Sequence, residues 1–210
     1  MAKFRFKKAD IGIFNRNADH ALEGFEKQCR LLGLTHGKFS LIDLVHSTLK
    51  KTGPAHVICT TWSAGIKDVH QVKWMYDTDL IQSFRIITDR SYKTRQNNYA
   101  VALDDFFGEE NIRATDVHAK FILIFNDDYK VCIRSSMNLN ANKTCENFEI
   151  DEDIDIFNYY MSFVETIFLV GQPGFAKNRF EAAKPLKYFF QKDRPEVKRE
   201  NRESIFFGHG

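Results

Sequence analysis

Two apolar segments separated by four polar residues place the strongest constraint on the fold of this chain. Residues 117–125 and 130–134 are rich in β-branched side chains, and residues 126–129 between them are turn formers. This pattern predicts two antiparallel strands joined by a turn. Because side chains alternate between the two faces of a strand, we expect His118 and Lys120 to leave the sheet on the same side.

Strands and helices alternate over most of the remaining chain. Short apolar runs at residues 56–61 and 84–88 predict buried strands, and helical periodicity is found in residues 66–76, 98–107 and 153–170. Such alternation is typical of an α/β domain, in which a mixed sheet is flanked by helices on both faces.

The N-terminal part of the chain has a less regular pattern. Residues 1–20 predict an irregular arm or a short strand. In residues 21–34, Leu22, Phe25 and Cys29 recur near one helical face and Gly33 stands close to the end, so this segment predicts a helix.

Composition indicates a soluble globular protein in a reducing compartment. The 210 residues are 43% hydrophobic and 28% charged, and the net charge is only +2. The four cysteines form no CxxC pair, which favours free thiols in the cytoplasm. No apolar run approaches the roughly 20 residues of a membrane span. No apolar segment follows the basic N-terminus, so a signal peptide is not expected.

The predicted hairpin carries a set of groups suited to phosphate chemistry. His118 and Lys120 precede the apolar run of the first strand, and Ser136 and Asn138 follow the second strand. An imidazole can attack phosphorus, while ammonium, hydroxyl and amide groups stabilise the charge that develops on the phosphate oxygens.

These residues resemble the signature of the phospholipase D superfamily. His118-Ala119-Lys120 matches HxK, Ser136-Met137-Asn138 matches the end of GSxN, and Glu149 lies in an NFE-like context. The resemblance implies that His118 forms a phosphohistidine and that Lys120, Ser136 and Asn138 hold the phosphate oxygens. It also implies that Glu149 accepts a hydrogen bond from the second imidazole nitrogen, with Glu146 as the rival for this role.

Two positions depart from the family pattern. Phe125 occupies the place of the usual aspartate of HxKxxxxD, with Asp127 and Asp128 displaced into the turn, and Ser135 replaces the glycine of GSxN. These departures keep open the alternative of a catalytically silent member that binds nucleic acid or a protein.

A second match to HxKxxxxD, formed by His36, Lys38 and Asp43, has the wrong context. Ser40 and Asp43 form a predicted capping box, and the apolar residues after them continue with helical spacing. We therefore interpret this match as coincidental.

Loops after the first two predicted strands supply further candidates. Trp62 and Ser63 follow residues 56–61, and Lys93 and Arg95 follow residues 84–88. Ligands of open α/β sheets favour the carboxyl ends of strands, so these four residues are candidate substrate-binding groups. A solvated loop is the alternative for Lys93 and Arg95. No paired metal-ligand spacing and no phosphate-binding glycine motif is present, so neither metal nor cofactor is expected.

The resemblance implies three segments: residues 1–38 as an arm and helix, residues 39–170 as a phospholipase D-like catalytic domain, and residues 171–210 as a charged tail. The tail predicts a solvated, partly disordered segment, with Tyr188, Phe189 and Phe190 available for stacking on bases or for docking on the core.

The function that these residues predict is a metal-independent endonuclease. We expect its substrate to be nucleic acid, DNA rather than RNA, and we expect no membrane partner. Only one credible HxK motif occurs, and one histidine cannot serve both sides of the phosphorus, so a homodimer is expected to share the site. A lipid phosphodiesterase is a further alternative. A compact protein of this kind suits the cytoplasm of its own cell or, if phage-encoded, that of a host.

Overall fold

The computed structural model describes residues 8–14, 16–139, 144–176 and 178–192. Its centre is one eight-stranded sheet with the strand order β1-β2-β8-β7-β6-β3-β4-β5. The strands are β1 Lys8–Phe14, β2 Cys29–His36, β3 Ala55–Thr61, β4 Ile81–Asp89, β5 Ile112–Thr115, β6 Phe121–Phe125, β7 Lys130–Ser135 and β8 Cys145–Glu152. Pairs β1–β2, β3–β4 and β4–β5 are parallel, and the four pairs between β2 and β3 are antiparallel. The predicted mixed α/β sheet is confirmed.

Helices cover the sheet on both faces. They are α1 Ala18–Ala21, α2 Leu41–Thr52, α3 Ile66–Asp77, α4 Tyr92–Arg95, α5 Asn97–Phe107, α6 Ile154–Val170 and α7 Arg179–Lys192. One apolar core lies between the sheet and α2, α3 and α5. A second core joins the other face, through Phe121, Leu123 and Cys132, to α6. This layering confirms the predicted flanking on both faces.

The coincidental HxKxxxxD match has the structure expected of a helix start. Ser40 is the N-cap of α2, and Ser40 and Asp43 form the reciprocal capping box. The helix ends at Gly53, whose φ of 75° is unfavourable for residues with a side chain. His36 is the last residue of β2 rather than part of this helix.

The predicted helix over residues 21–34 is wrong. After the short α1, the chain turns through Gln28, at a φ of 59°, and enters β2 between β1 and β8. A Cβ atom on Gly33 would lie 2.4 Å from Phe148 and 2.5 Å from Phe14, so this glycine lets two rings pack over the strand. The apolar spacing suits a helix, but pairing on both sides of β2 decides the conformation.

The segment after residue 170 is more ordered than predicted. Residues 179–192 form α7, and the Phe189 ring packs edge-on against Phe163 of α6 at 5.2 Å. The docking alternative for this aromatic group is therefore confirmed for Phe189, and a fully solvated tail is wrong up to residue 192. The basic residues Arg194, Lys198, Arg199 and Arg202 and the N-terminal Lys3, Arg5 and Lys7 lie outside the described residues. The three-segment division of the chain stays a prediction.

The central hairpin is shorter at its start than predicted. The strand begins at Phe121, and residues 117–120 lead into it outside any strand. Asn126 shapes the turn, since its Oδ1 accepts hydrogen bonds from the amides of Asp128 and Tyr129. His118 and Lys120 therefore lie just beyond the sheet edge rather than within the sheet.

Candidate active site

The sheet topology gathers the candidate residues at one edge. Thr60 near the end of β3 pairs with Phe121 at the start of antiparallel β6, and Phe121 pairs with Arg134 near the end of β7. Ser135, at the end of β7, pairs with Phe148 near the start of β8. The loop after β3, the approach to β6, the exit of β7 and the start of β8 therefore share this edge.

His118 and Lys120 form the centre of the site. His118 is exposed, its Nδ1 lies 3.4 Å from the Lys120 ammonium nitrogen, and that nitrogen lies 3.4 Å from the His118 carbonyl oxygen. Partial burial lowers the pKa of Lys120, and the charge of Glu146 opposes this shift. The charge of Glu146 therefore acts on Lys120, which makes this carboxylate a candidate member of the site.

Ser136 connects the exit of β7 to the start of β8. Its hydroxyl donates a hydrogen bond to the Glu146 carboxylate and accepts one from the Asn147 amide at 3.0 Å. Ser135, in the position of the motif glycine, donates from its hydroxyl to the Asn147 carbonyl at 2.6 Å and accepts from the Met137 amide at 3.0 Å. The Ser135 side chain thus takes part in shaping this loop.

Glu149 does not occupy the place expected for it. Its carboxylate forms an ion pair with Arg134 at 2.6 Å, and Arg134 also binds the fully buried Asp151. Three residues separate Glu149 from Glu146, so the two side chains leave opposite faces of β8, roughly 10 Å apart along the strand. Glu146 is therefore the acidic residue that the structure brings to Lys120 and Ser136. The position of Glu146 at the start of β8 was a possible signal for this carboxylate, but the spacing between Asn138 and Glu149 favoured Glu149.

Asn138 lies where the loop after β7 meets the loop after β3. The next residue, Leu139, forms a parallel bridge with Ala64, and its amide donates to the Ser63 carbonyl at 3.1 Å. The side-chain oxygen of Asn138 is buried and has no hydrogen-bond partner among the described residues.

Of the four candidate substrate-binding residues, Trp62 contacts His118, and Arg95 contacts Trp62. The Trp62 ring lies 5.4 Å from the imidazole between centroids, and the Arg95 guanidinium carbon lies 3.8 Å from the centre of the Trp62 ring. Ser63 is buried, and its hydroxyl accepts a hydrogen bond from the Gln96 side chain at 3.0 Å. Lys93 is exposed, and its charge acts on Asp104 of α5. Substrate binding by these residues stays a prediction.

The departure at Phe125 lies far from the catalytic edge. β6 separates Phe125 from that edge by roughly 14 Å. There its ring packs 5.1 Å from His56 and 5.3 Å from Phe157. Asp127 and Asp128 lie in the turn at the same remote end. Phe125, which replaces the motif aspartate, therefore does not contact the residues around His118.

Across the described ranges, no three His, Cys, Asp or Glu side chains form a group able to hold a metal ion. In the same ranges, no helix combines the length and apolar character that crossing a bilayer requires. The expectation of a metal-free site stays a prediction.

Structural similarity identifies the fold. No protein-family model matches this sequence, and no curated protein matches it. Nuc from Salmonella typhimurium, a phospholipase D family member, aligns with a TM-score of 0.51 at 13% identity over 70% of this chain and 98% of its own. Polyphosphate kinase from Porphyromonas gingivalis aligns with a TM-score of 0.50 at 13% identity over 69% of this chain and 26% of its own. NucT from Helicobacter pylori aligns with a TM-score of 0.49 at 16% identity over 67% of this chain and 96% of its own. The chain therefore has the phospholipase D fold.

Proposed function

We propose that this protein is a phosphodiesterase that cleaves nucleic acid through a phosphohistidine at His118. The observation that carries the proposal is the exposed imidazole beside the Lys120 ammonium group, at the edge where the Ser136–Asn138 segment also ends. Similarity to a phospholipase D family member supports the same class of chemistry.

In the first step, a neutral imidazole nitrogen of His118 attacks phosphorus. An N–P bond forms, the P–O bond to the leaving group breaks, and the leaving alkoxide receives a proton from an acid on the far side of the phosphorus. Lys120 and the Asn138 amide stabilise the negative charge on the non-bridging oxygens. In the second step, water attacks the phosphorus of the phosphohistidine, and its proton passes to the group that protonated the leaving alkoxide in the first step. The N–P bond breaks, which releases a phosphate monoester and returns neutral His118.

The acid on the far side of the phosphorus is proposed to come from a second copy of the chain. One His118 per copy accounts for the nucleophile only, whereas a two-fold axis beside the site supplies a second imidazole in the opposite orientation. Glu146 takes the carboxylate role first assigned to Glu149, since it balances Lys120 and orients Ser136.

The proposed substrate is DNA rather than RNA, and nucleic acid rather than lipid. The support is the Lys120 ammonium group in the site and the exposed Lys93 in the segment after β4. Cationic groups of this kind bind the phosphate backbone of nucleic acid. Cleavage of matched DNA and RNA oligonucleotides decides between the two substrates.

The central test is nuclease activity in EDTA with the His118→Ala variant. We expect the unmodified protein to cleave oligonucleotides in EDTA and to show a phosphorylated His118 by mass spectrometry after rapid quenching. His118→Ala should lose both properties. His36→Ala is the matched control, because His36 is an exposed histidine at the same sheet edge in the coincidental motif. Cleavage that survives in His118→Ala would remove this proposal.

A catalytically silent binding protein is the second candidate, favoured by Phe125 and Ser135 at two motif positions. This alternative predicts retention of DNA without cleavage, with an affinity that His118→Ala leaves unchanged. The remote location of Phe125 weakens this alternative.

A further inference from the structure

The Arg95 side chain is held by its own protein at several atoms. Its Nε donates to the Ser91 hydroxyl at 2.8 Å, and its Nη2 donates to the Trp62 carbonyl at 2.9 Å and lies 3.7 Å from the Asp89 carboxylate. Asp89 also accepts a hydrogen bond from the Ser91 amide at 2.9 Å. An arginine held in this way has limited freedom to move onto a phosphate.

The loop that carries Trp62 is fixed by a second set of bonds from the same region. Gln96 donates from Nε2 to the Ser63 hydroxyl at 3.0 Å and accepts from the Ala64 amide at 3.3 Å. Two consecutive residues after β4, Arg95 and Gln96, therefore form hydrogen bonds with the loop after β3. Trp62 lies between these hydrogen bonds and His118.

The Trp62 ring packs against the His118 ring. The two rings lie 5.4 Å apart at an angle of 47°, and the guanidinium group lies over the Trp62 ring. The ring contact matters because residues 117–120 lie outside the strands, where no continuous ladder of hydrogen bonds holds the backbone. We infer that Arg95 and Trp62 act as a positioning pair that holds the His118 imidazole, and that Arg95 does not bind the substrate phosphate.

The inference rests on the proposed function, in which His118 is the reacting group. A cation stacked on an indole stabilises the position of the ring, and more strongly the further the pair is desolvated. A nucleophile misplaced by about 1 Å can lose roughly a hundredfold in rate. A modest loss of packing at Trp62 can therefore produce a large loss of rate with little change in substrate affinity.

Steady-state kinetics on two substrates separate positioning from phosphate binding. The substrates are a single-stranded DNA oligonucleotide and bis(p-nitrophenyl) phosphate, which has no phosphates outside the reacting one. We expect Trp62→Ala and Arg95→Ala to lower kcat roughly 10- to 100-fold on both substrates, with KM changed less than about threefold. Trp62→Phe should recover most of the rate because it restores a ring beside the imidazole.

Arg95→Lys gives the sharpest distinction. Lysine keeps the charge but loses the planar stacking and the forked donors, so a positioning role predicts a loss close to that of Arg95→Ala. A phosphate-binding role predicts that lysine restores binding, that KM rises for the oligonucleotide alone, and that Arg95→Ala reduces the salt dependence by about one ion. Lys51→Ala removes an exposed cation in the last turn of α2, outside the site, and is the control that should retain kcat.

A measurement without turnover decides the inference even if neither substrate is cleaved. In NMR spectra of imidazole-labelled protein, the Trp62 ring should shift the His118 ring resonances. Trp62→Ala should remove this shift, and Arg95→Ala should broaden or move the same signals, while Lys51→Ala leaves them in place. Inactive wild-type protein would remove the proposed function alone. His118 signals that are unchanged in both Trp62→Ala and Arg95→Ala would overturn the positioning pair, and so would an increase confined to KM.

Discussion

Glu146 and Glu149 are separated by three positions on β8, and this separation gives them different surroundings. Glu146 accepts a hydrogen bond from Ser136 and acts electrostatically on Lys120. Glu149 pairs with Arg134 on the opposite face, inside a charged group that includes Asp151. Neutralising Glu146 should therefore affect activity, whereas neutralising Glu149 should affect stability.

We expect Glu146→Gln to lower kcat about tenfold, because the amide no longer balances Lys120 or holds Ser136 as strongly. Glu149→Gln should retain kcat and should lower the free energy of unfolding by roughly 1 kcal/mol, since Arg134 loses one partially exposed partner. Oligonucleotide kinetics and urea denaturation measure the two effects. The opposite result, with Glu149→Gln inactive and Glu146→Gln active, would return the catalytic role to Glu149.

At the scale of secondary structure, the first turn of α3 contains a buried carboxyl group. Burial raises the pKa of Asp68 to about 6, and the nearby charge of Asp43 adds to the shift. An acidic residue in the first turn of a helix is normally favourable, but here burial has the larger effect. The folded state therefore binds a proton at Asp68 more tightly than the unfolded state does.

This raised pKa gives a pH dependence with a definite sign. The contribution of protonated Asp68 to stability is fully present below the ordinary pKa near 4 and is lost as the pH rises through about 6. We expect Asp68→Asn to match wild-type stability near pH 4 and to exceed it at pH 7.5 by on the order of 2 kcal/mol. Urea denaturation at both pH values tests this, with Asp105→Asn on the exposed side of α5 as the control. An Asp68→Asn variant that is less stable at pH 7.5 would contradict the prediction.

At the scale of the whole molecule, the sheet brings one HxK histidine to its edge. A shared site in a dimer makes activity depend on both copies, whereas a self-sufficient monomer makes it depend on one. Mixtures of variant and wild-type chains distinguish these arrangements without knowledge of the interface.

We predict that an equal mixture of wild-type and His118→Ala chains, refolded together, has about one quarter of the activity of the same total concentration of wild-type chains, because only pairs of wild-type chains assemble a complete site. Independent sites would give about half on the same basis. Light scattering on the same samples should show two chains per particle. A single-chain mass with full activity would exclude the shared site.

Several elements could be predicted from local sequence because their signals are local. The capping box of Ser40 and Asp43 and the alternation of strands and helices through residues 55–170 have the expected structure. The pairing of His118 with Lys120 also follows from their spacing of two residues. These features depend on contacts between residues that are close in the chain.

The remaining features depend on distant residues. β2 resembles a helix until β1 and β8 pair with its two edges, and Gly33 indicates the end of a helix until Phe14 and Phe148 pack across it. Similarly, the choice between Glu146 and Glu149 depends on which face of β8 meets Arg134. The sequence by itself determined the chemistry-bearing residues and the α/β alternation, through spacing and side-chain type. Only the tertiary structure decided which carboxylate contacts Ser136 and that Trp62 lies between Arg95 and His118, because strand pairing and loop contacts join residues that are far apart along the chain.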